Sequence, residues 1–268
     1  MFIVFLTTLA AGLLGALALC RLTQVAWRSV RLIAILALCL QLPIVAGFIA
    51  WAGWQRGPWP VWAAALTASA AMGAFVVFGL APTARRSGST IRLFAGVSGA
   101  LSLAAAWAWG FDYRIWPDAP PLAIKASLAG QALSALLVGS IGLAGVLVSS
   151  LLAHSTMSLQ PLKRLVRIFL AATGLRLLWL LLEVGGMLWY DPSGNGTVAA
   201  VLRSWWLLLG VLGGAGLLIP AGLAYMTLQT LHLRTVPPAA RLVYLALVLA
   251  FIGELAALYV MRESGLPL

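Results

Sequence analysis

The sequence predicts an all-α, polytopic integral membrane protein, a single membrane domain over residues 1–268 with eight transmembrane helices. Three observations lead there. Of the 268 residues, 63% are hydrophobic and only 9% charged, whereas a soluble domain carries roughly 25% charged residues. Such a chain lacks the polar groups to cover a water-facing surface, and its apolar content excludes disordered and fibrous classes. Apolar runs of about 20 residues, the length that crosses the hydrocarbon core, recur along the whole chain. Basic residues collect in alternate loops between those runs, which is a topology signal.

The runs fall at about 2–20, 32–54, 61–82, 92–110, 124–153, 167–189, 200–229 and 241–262. Unpaired backbone groups are not tolerated in lipid, and these runs are too long for barrel strands, so each is expected to be a helix. No basic residue precedes the first run, whereas a cleaved signal peptide needs a positive start, so a retained helix is expected there. The second contains Gln41 and Pro43, an amide and a freed backbone carbonyl. It stops before Gly57-Pro58-Trp59-Pro60, where the third begins. The fourth ends before the segment from Pro117 to Pro121, the sixth before Asp191-Pro192-Ser193-Gly194, and the eighth starts after Pro237-Pro238. All of these are breaker segments. The fifth and seventh exceed one crossing and are expected to tilt or project. Gly210, Gly213, Gly214 and Gly216 in the seventh suit close helix approach. No internal repeat is evident.

Arg21, Arg28, Arg31, Arg85, Arg86, Arg92, Lys163, Arg164, Arg167, Arg234 and Arg241 lie in the loops after the odd-numbered runs, with no acid among them. The positive-inside rule puts those loops in the cytoplasm and both termini outside, which in a bacterium is the periplasm. The net charge of +11 is thereby explained by topology and lipid headgroups, and no nucleic-acid partner is expected. Ten of the 12 Trp, all but Trp27 and Trp179, lie at or near the outer helix ends. Two readings stand: an unequal interfacial belt, or an aromatic, Pro-rich docking surface.

Several chemistries are missing. Cys20 and Cys39 lie on different helices, so an iron–sulfur cluster in this chain is excluded. His154 and His232, the only histidines, sit near the ends of the fifth and seventh runs. Their spacing gives no support for a haem, and a metal site lacks ligands. No phosphate loop, dinucleotide fingerprint or catalytic triad is present. Asn195-Gly196-Thr197 reads as a turn. The chain is expected to hold no redox cofactor of its own.

Ionisable residues at depth are costly and point to function. Arg176 and Glu183 lie seven residues apart in the sixth run, on one face and roughly 10 Å apart along the axis. Glu254 lies in the eighth, about 12 Å of rise from Arg262. These groups form either an interhelical ion pair that glues the bundle, the commoner use of such charges, or a polar pocket for a quinone headgroup or a proton path.

Short segments distributed along the chain add a further indication. They include Phe5-Leu6-Thr7-Thr8-Leu9-Ala10-Ala11-Gly12, Gly47-Phe48-Ile49-Ala50, and the run from Ala65 to Gly73. Tyr113-Arg114-Ile115, Leu136-Leu137-Val138-Gly139, Ser204-Trp205 and Gly253-Glu254-Leu255 continue the series. Together with eight helices, they make the chain resemble the DmsC family, the membrane-anchor subunits of dimethyl sulfoxide reductase-type molybdoenzymes. The resemblance implies a subunit of the bacterial inner membrane that oxidises menaquinol. Its implied partners are a four-cluster iron–sulfur subunit and a molybdopterin catalytic subunit, here on the periplasmic side, besides membrane lipid.

Three positions depart from the family pattern. Trp54 stands where similar members have a His, Ser69 where they have a carboxylate, and no Arg follows the Gly253-Glu254 pair closely. Quinol oxidation needs a proton acceptor, so Glu254 and Glu183 are the expected acceptors. Trp54, Gln55 and Arg56 would line the pocket mouth, with Thr67, Ser69, Gln41 and Arg176 contributing polar contacts near the outer ends of the second, third, sixth and eighth helices. The alternatives are a purely structural anchor or assembly subunit without quinol turnover, and a small-solute permease. The permease lacks the matched pair of broken helices that transporters show.

Overall fold

The computed structural model describes residues 2–20, 25, 27–51, 58–83, 88–112, 121–153, 158–189, 206–233 and 235–264. They form an all-helical bundle of eight helices, each long and apolar enough to cross a membrane. The helices are α1 (Phe2–Leu19), α2 (Trp27–Trp51), α3 (Pro58–Leu80), α4 (Gly88–Asp112), α5 (Pro121–Ala153), α6 (Gln160–Trp189), α7 (residues 206–232) and α8 (Val236–Ser264). A single 3₁₀ turn, Ala81–Thr83, extends α3.

Every expected run is a helix, but several begin earlier than hydropathy alone suggests. α2 takes in Trp27, Arg28 and Arg31, and α6 takes in Lys163, Arg164 and Arg167. Long basic side chains lay their stems along apolar surface and keep the charge outward, so a basic stretch does not end a helix. Pro58 and Pro121 open α3 and α5, positions where the missing N–H is no loss. Just ahead of α6, Ser158 Oγ accepts the Gln160 N–H at 3.4 Å, a local turn that leads into the helix.

Packing divides the bundle into two rings of four. α1 packs on α2, α2 on α3, α3 on α4, and α4 closes back on α1; α5, α6, α7 and α8 repeat the same circuit. The rings meet chiefly where α1 lies against α5. Burial follows this plan. Two-thirds of each of α1 and α5 is buried, against 33–44% of the other six spans. The outer surface is apolar, with Met72, Phe75, Leu93, Leu178, Leu182 and Val248 exposed, as a lipid-facing surface requires.

Glycine makes the seam possible. A Cβ on Gly12 would collide with the Ala135 carbonyl oxygen, and one on Gly139 with the backbone of Gly12. The two backbones therefore touch, the close approach that small residues allow in membranes. Phe5 of α1 meets Phe251 of α8 edge-on, 5.6 Å between ring centroids, and ties the second ring to the seam.

α7 is irregular. Trp206–Gly210 and Ile219–His232 are α-helical, and Val211–Leu218 between them is a π-helix. The Ile219 N–H donates to the Gly214 carbonyl, a bond spanning five residues. Pro220 cannot donate to Gly216, and its ring crowds that carbonyl. Three glycines just before it let the backbone widen into the longer turn.

Candidate functional site

Three ionisable side chains converge inside the second ring. Arg176 of α6 is only 2% exposed, and Glu183 of α6 and Glu254 of α8 are 9% exposed each. Residues 176, 179 and 183 are spaced by three and four and share one face of α6. On that face the Trp179 indole Nε1–H donates to Glu183 Oε1 at 2.6 Å. The charge of Arg176 acts on both carboxylates. No described ion pair closes between them, and one guanidinium serves two acids.

α5 makes room for this arrangement and adds polar groups. A Cβ on Gly130 would lie 2.7 Å from Arg176 Nη1 and 3.6 Å from Trp179 Nε1. The missing side chain at Gly130 is thus the space the guanidinium occupies. One residue on is Gln131, 3% exposed, and three further is Ser134, 1% exposed. Ser134 lies against Glu254 as its hydrogen-bonding neighbour. Both amide atoms of Gln131, Arg176 Nη1 and Nη2, and Glu183 Oε2 are buried without partners among the described residues. A buried polar atom left unpaired costs about 1–3 kcal/mol. Such a concentration sets this cluster apart from a saturated structural ion pair.

The π-helix adjoins the cluster. Gly253, the neighbour of Glu254, meets Gly216 so closely that a Cβ on either would enter the other's backbone. The wide turn of α7 thereby packs against the stretch of α8 that carries the carboxylate. π segments concentrate at functional sites because they displace groups from the regular helical register.

The remaining expected site residues lie elsewhere. Gln41 and Thr67 are buried in the first ring. Gln41 Nε2 donates to Ser102 Oγ of α4 at 2.6 Å, and Ser102 Oγ donates to the Ser98 carbonyl at 2.8 Å. Thr67 Oγ1 donates to the Ala63 carbonyl at 2.7 Å and accepts the Trp109 indole N–H at 3.4 Å. Ser69 faces outward on α3, its hydroxyl bonded to the Ala65 carbonyl of its own helix at 2.8 Å. Trp54, Gln55 and Arg56 lie outside the described residues. The expected residues therefore separate: Arg176, Glu183 and Glu254 gather in one ring, and Gln41, Thr67 and Ser69 belong to the other.

Gln131, Ser134 and the role of Trp179 were not anticipated from sequence. Trp179 did carry a signal, as one of two tryptophans away from the outer helix ends. Gln131 is a lone amide in an apolar run, the same kind of signal as Gln41. Among the described residues, no three His, Cys, Asp or Glu gather in one place. No family model, curated protein or solved structure matches this chain.

Proposed function

We propose that the chain is the quinol-oxidising anchor subunit of a periplasmic-facing molybdoenzyme complex in a bacterial inner membrane, the role its resemblance to DmsC anchors implies. The observation that carries this reading is the Arg176, Glu183 and Glu254 cluster within the α5–α8 ring. Oxidation of menaquinol to the quinone releases two protons and two electrons. The protons need acceptors within reach of a lipid-borne headgroup. One guanidinium against two carboxylates leaves a carboxylate available for that task. Glu254, beside the wide turn of α7, is the acceptor, and Glu183, held by Trp179, is the second. The Arg176 and Gln131 N–H groups supply donors for a quinone oxygen. The electrons pass to an iron–sulfur cluster of the four-cluster partner, and from there to the molybdopterin subunit.

The test is Glu254→Gln in the intact complex, with quinol oxidation and subunit stoichiometry measured together. Loss of a positioned proton acceptor should slow turnover by about 10²-fold while assembly is retained. Unchanged turnover removes the assignment. A purely structural anchor is the second reading. It is favoured by the first ring, where Gln41 and Thr67 commit their donors to neighbouring helix groups and Ser69 faces outward. Quinone titration of the purified complex separates the two, since a structural anchor takes up none.

A further inference from the structure

The first 111 residues contain seven arginines and no Asp or Glu. The first ring, α1 to α4, therefore has no carboxylate before Asp112, the last residue of α4, to pair with Arg28 and Arg31 near the start of α2. Glu183 and Glu254 are engaged with Arg176 in the second ring. Among the described residues neither Arg28 nor Arg31 has an ion pair, and both are held by aromatic faces instead. The Arg31 guanidinium carbon is 4.5 Å from the centroid of Phe78 on α3 and 5.6 Å from that of Trp27, and Arg28 is 5.7 Å from the same Trp27. Arg31 Nε is shut away from solvent without a hydrogen-bond partner.

A guanidinium held against ring faces still has N–H donors at its rim for an oxyanion. The two positive charges lie within one turn of each other, and no carboxylate among the described residues pairs with either. Beside them the surface is apolar: Ile35 of α2 and Phe75 of α3 are exposed, and Phe75 stacks on Phe78 with centroids 6.4 Å apart. Trp27 is itself exposed, as a residue at the headgroup level would be. A phosphate next to an apolar strip is the chemistry of a phospholipid.

We infer that Arg28 and Arg31, braced by Trp27 and Phe78, form a binding site for the headgroup phosphate of one anionic phospholipid, whose acyl chain lies along Ile35 and Phe75. The site is independent of the quinol reading. It is tested on the purified full chain in neutral detergent by native mass spectrometry, with phosphatidylglycerol and phosphatidylcholine added separately. One phosphatidylglycerol should be retained and phosphatidylcholine lost. Each arginine near an anionic headgroup is worth about fivefold in affinity. Arg31→Gln should therefore weaken retention about fivefold and Arg28→Gln with Arg31→Gln about 25-fold. Lys163→Gln at the same end of α6 should leave retention unchanged. Arg31→Lys keeps the charge and loses the planar fork of donors, and it should still weaken retention should the glutamine variant not fold. Millimolar inorganic phosphate should fail to displace the lipid. Equal retention of both lipids, equal behaviour of the Arg31 and Lys163 variants, or displacement by free phosphate overturns the site.

Discussion

Gly12→Ala is the sharpest probe of how the two rings are joined. A Cβ at residue 12 would sit 2.8 Å from the Ala135 carbonyl carbon, 3.0 Å from Gly139 Cα and against the Ala135 oxygen. Carbon atoms rest about 3.5–4.0 Å apart, and the Ala135 oxygen is closer still, so the helices must separate by about 1 Å or more, a gap that forfeits about half of each contact along the seam. All the opposing atoms are backbone, so no side chain can rotate away. Overpacking costs about 1–3 kcal/mol, and this site belongs at the upper end. Against that, alanine favours the helix by about 1 kcal/mol over glycine. The net loss is about 2 kcal/mol, or roughly 4–8 °C in apparent Tm for a chain of this size.

The matched control is Gly15→Ala, one turn along the same helix, where nothing lies within 4 Å of the added carbon. It should be neutral or stabilising. Thermal unfolding in detergent can be followed with a maleimide fluorophore on Cys20, which is 1% exposed and reacts only on unfolding. Cys39, which is exposed, is replaced by Ala in this background. If the two variants melt within about 1 °C of each other, the backbone contact at residues 12 and 139 is not what joins the rings.

Three further outcomes are expected. Arg176→Met leaves two buried carboxylates without their cation and should destabilise the chain by about 3–5 kcal/mol, read as a fall in apparent Tm; adding Glu183→Gln and Glu254→Gln should recover most of it. Gly216→Ala, which drives α7 into Gly253, should cost about 1–3 kcal/mol, whereas Gly213→Ala, with open space around it, should be harmless in the same melt. Ser102→Ala strands the Gln41 amide and should cost about 1–2 kcal/mol, more than Gln41→Leu, which removes both partners' demand at once; chemical unfolding of the two variants side by side checks the order.

The eight spans were legible because a membrane helix must be apolar along its whole length, and nothing in tertiary packing overrides that. Ends were less so. Trp27, Arg28 and Arg31 read as a loop by charge, yet aromatic faces hold the arginines on α2. The membrane-buried charges Arg176, Glu183 and Glu254 stood out for their cost alone. Their companions Gln131 and Ser134 did not, because which face of α5 meets α6 is decided by Gly130 and Arg176 together, across 46 residues of chain. The division into two rings was invisible for a related reason: lipid-facing and ring-facing positions are both apolar, so periodicity carries little contrast. The π turn of α7 required Pro220 and its three preceding glycines to be weighed as a unit rather than as separate small residues.

The order of packing has a consequence for biogenesis. α1 to α4 complete their circuit by Asp112, so the leading half can leave the insertion machinery already assembled. Only the groove of α1 around Gly12 stays open, covered by acyl chains, until α5 arrives to dock backbone against backbone. The trailing half has no such early closure, because α5 must wait for α8, three helices later. The charged cluster is therefore sheltered only once α8 has been made. A chain truncated before α8 would release its leading half intact and offer Arg176 and Glu183 bare to the quality-control proteases of the membrane.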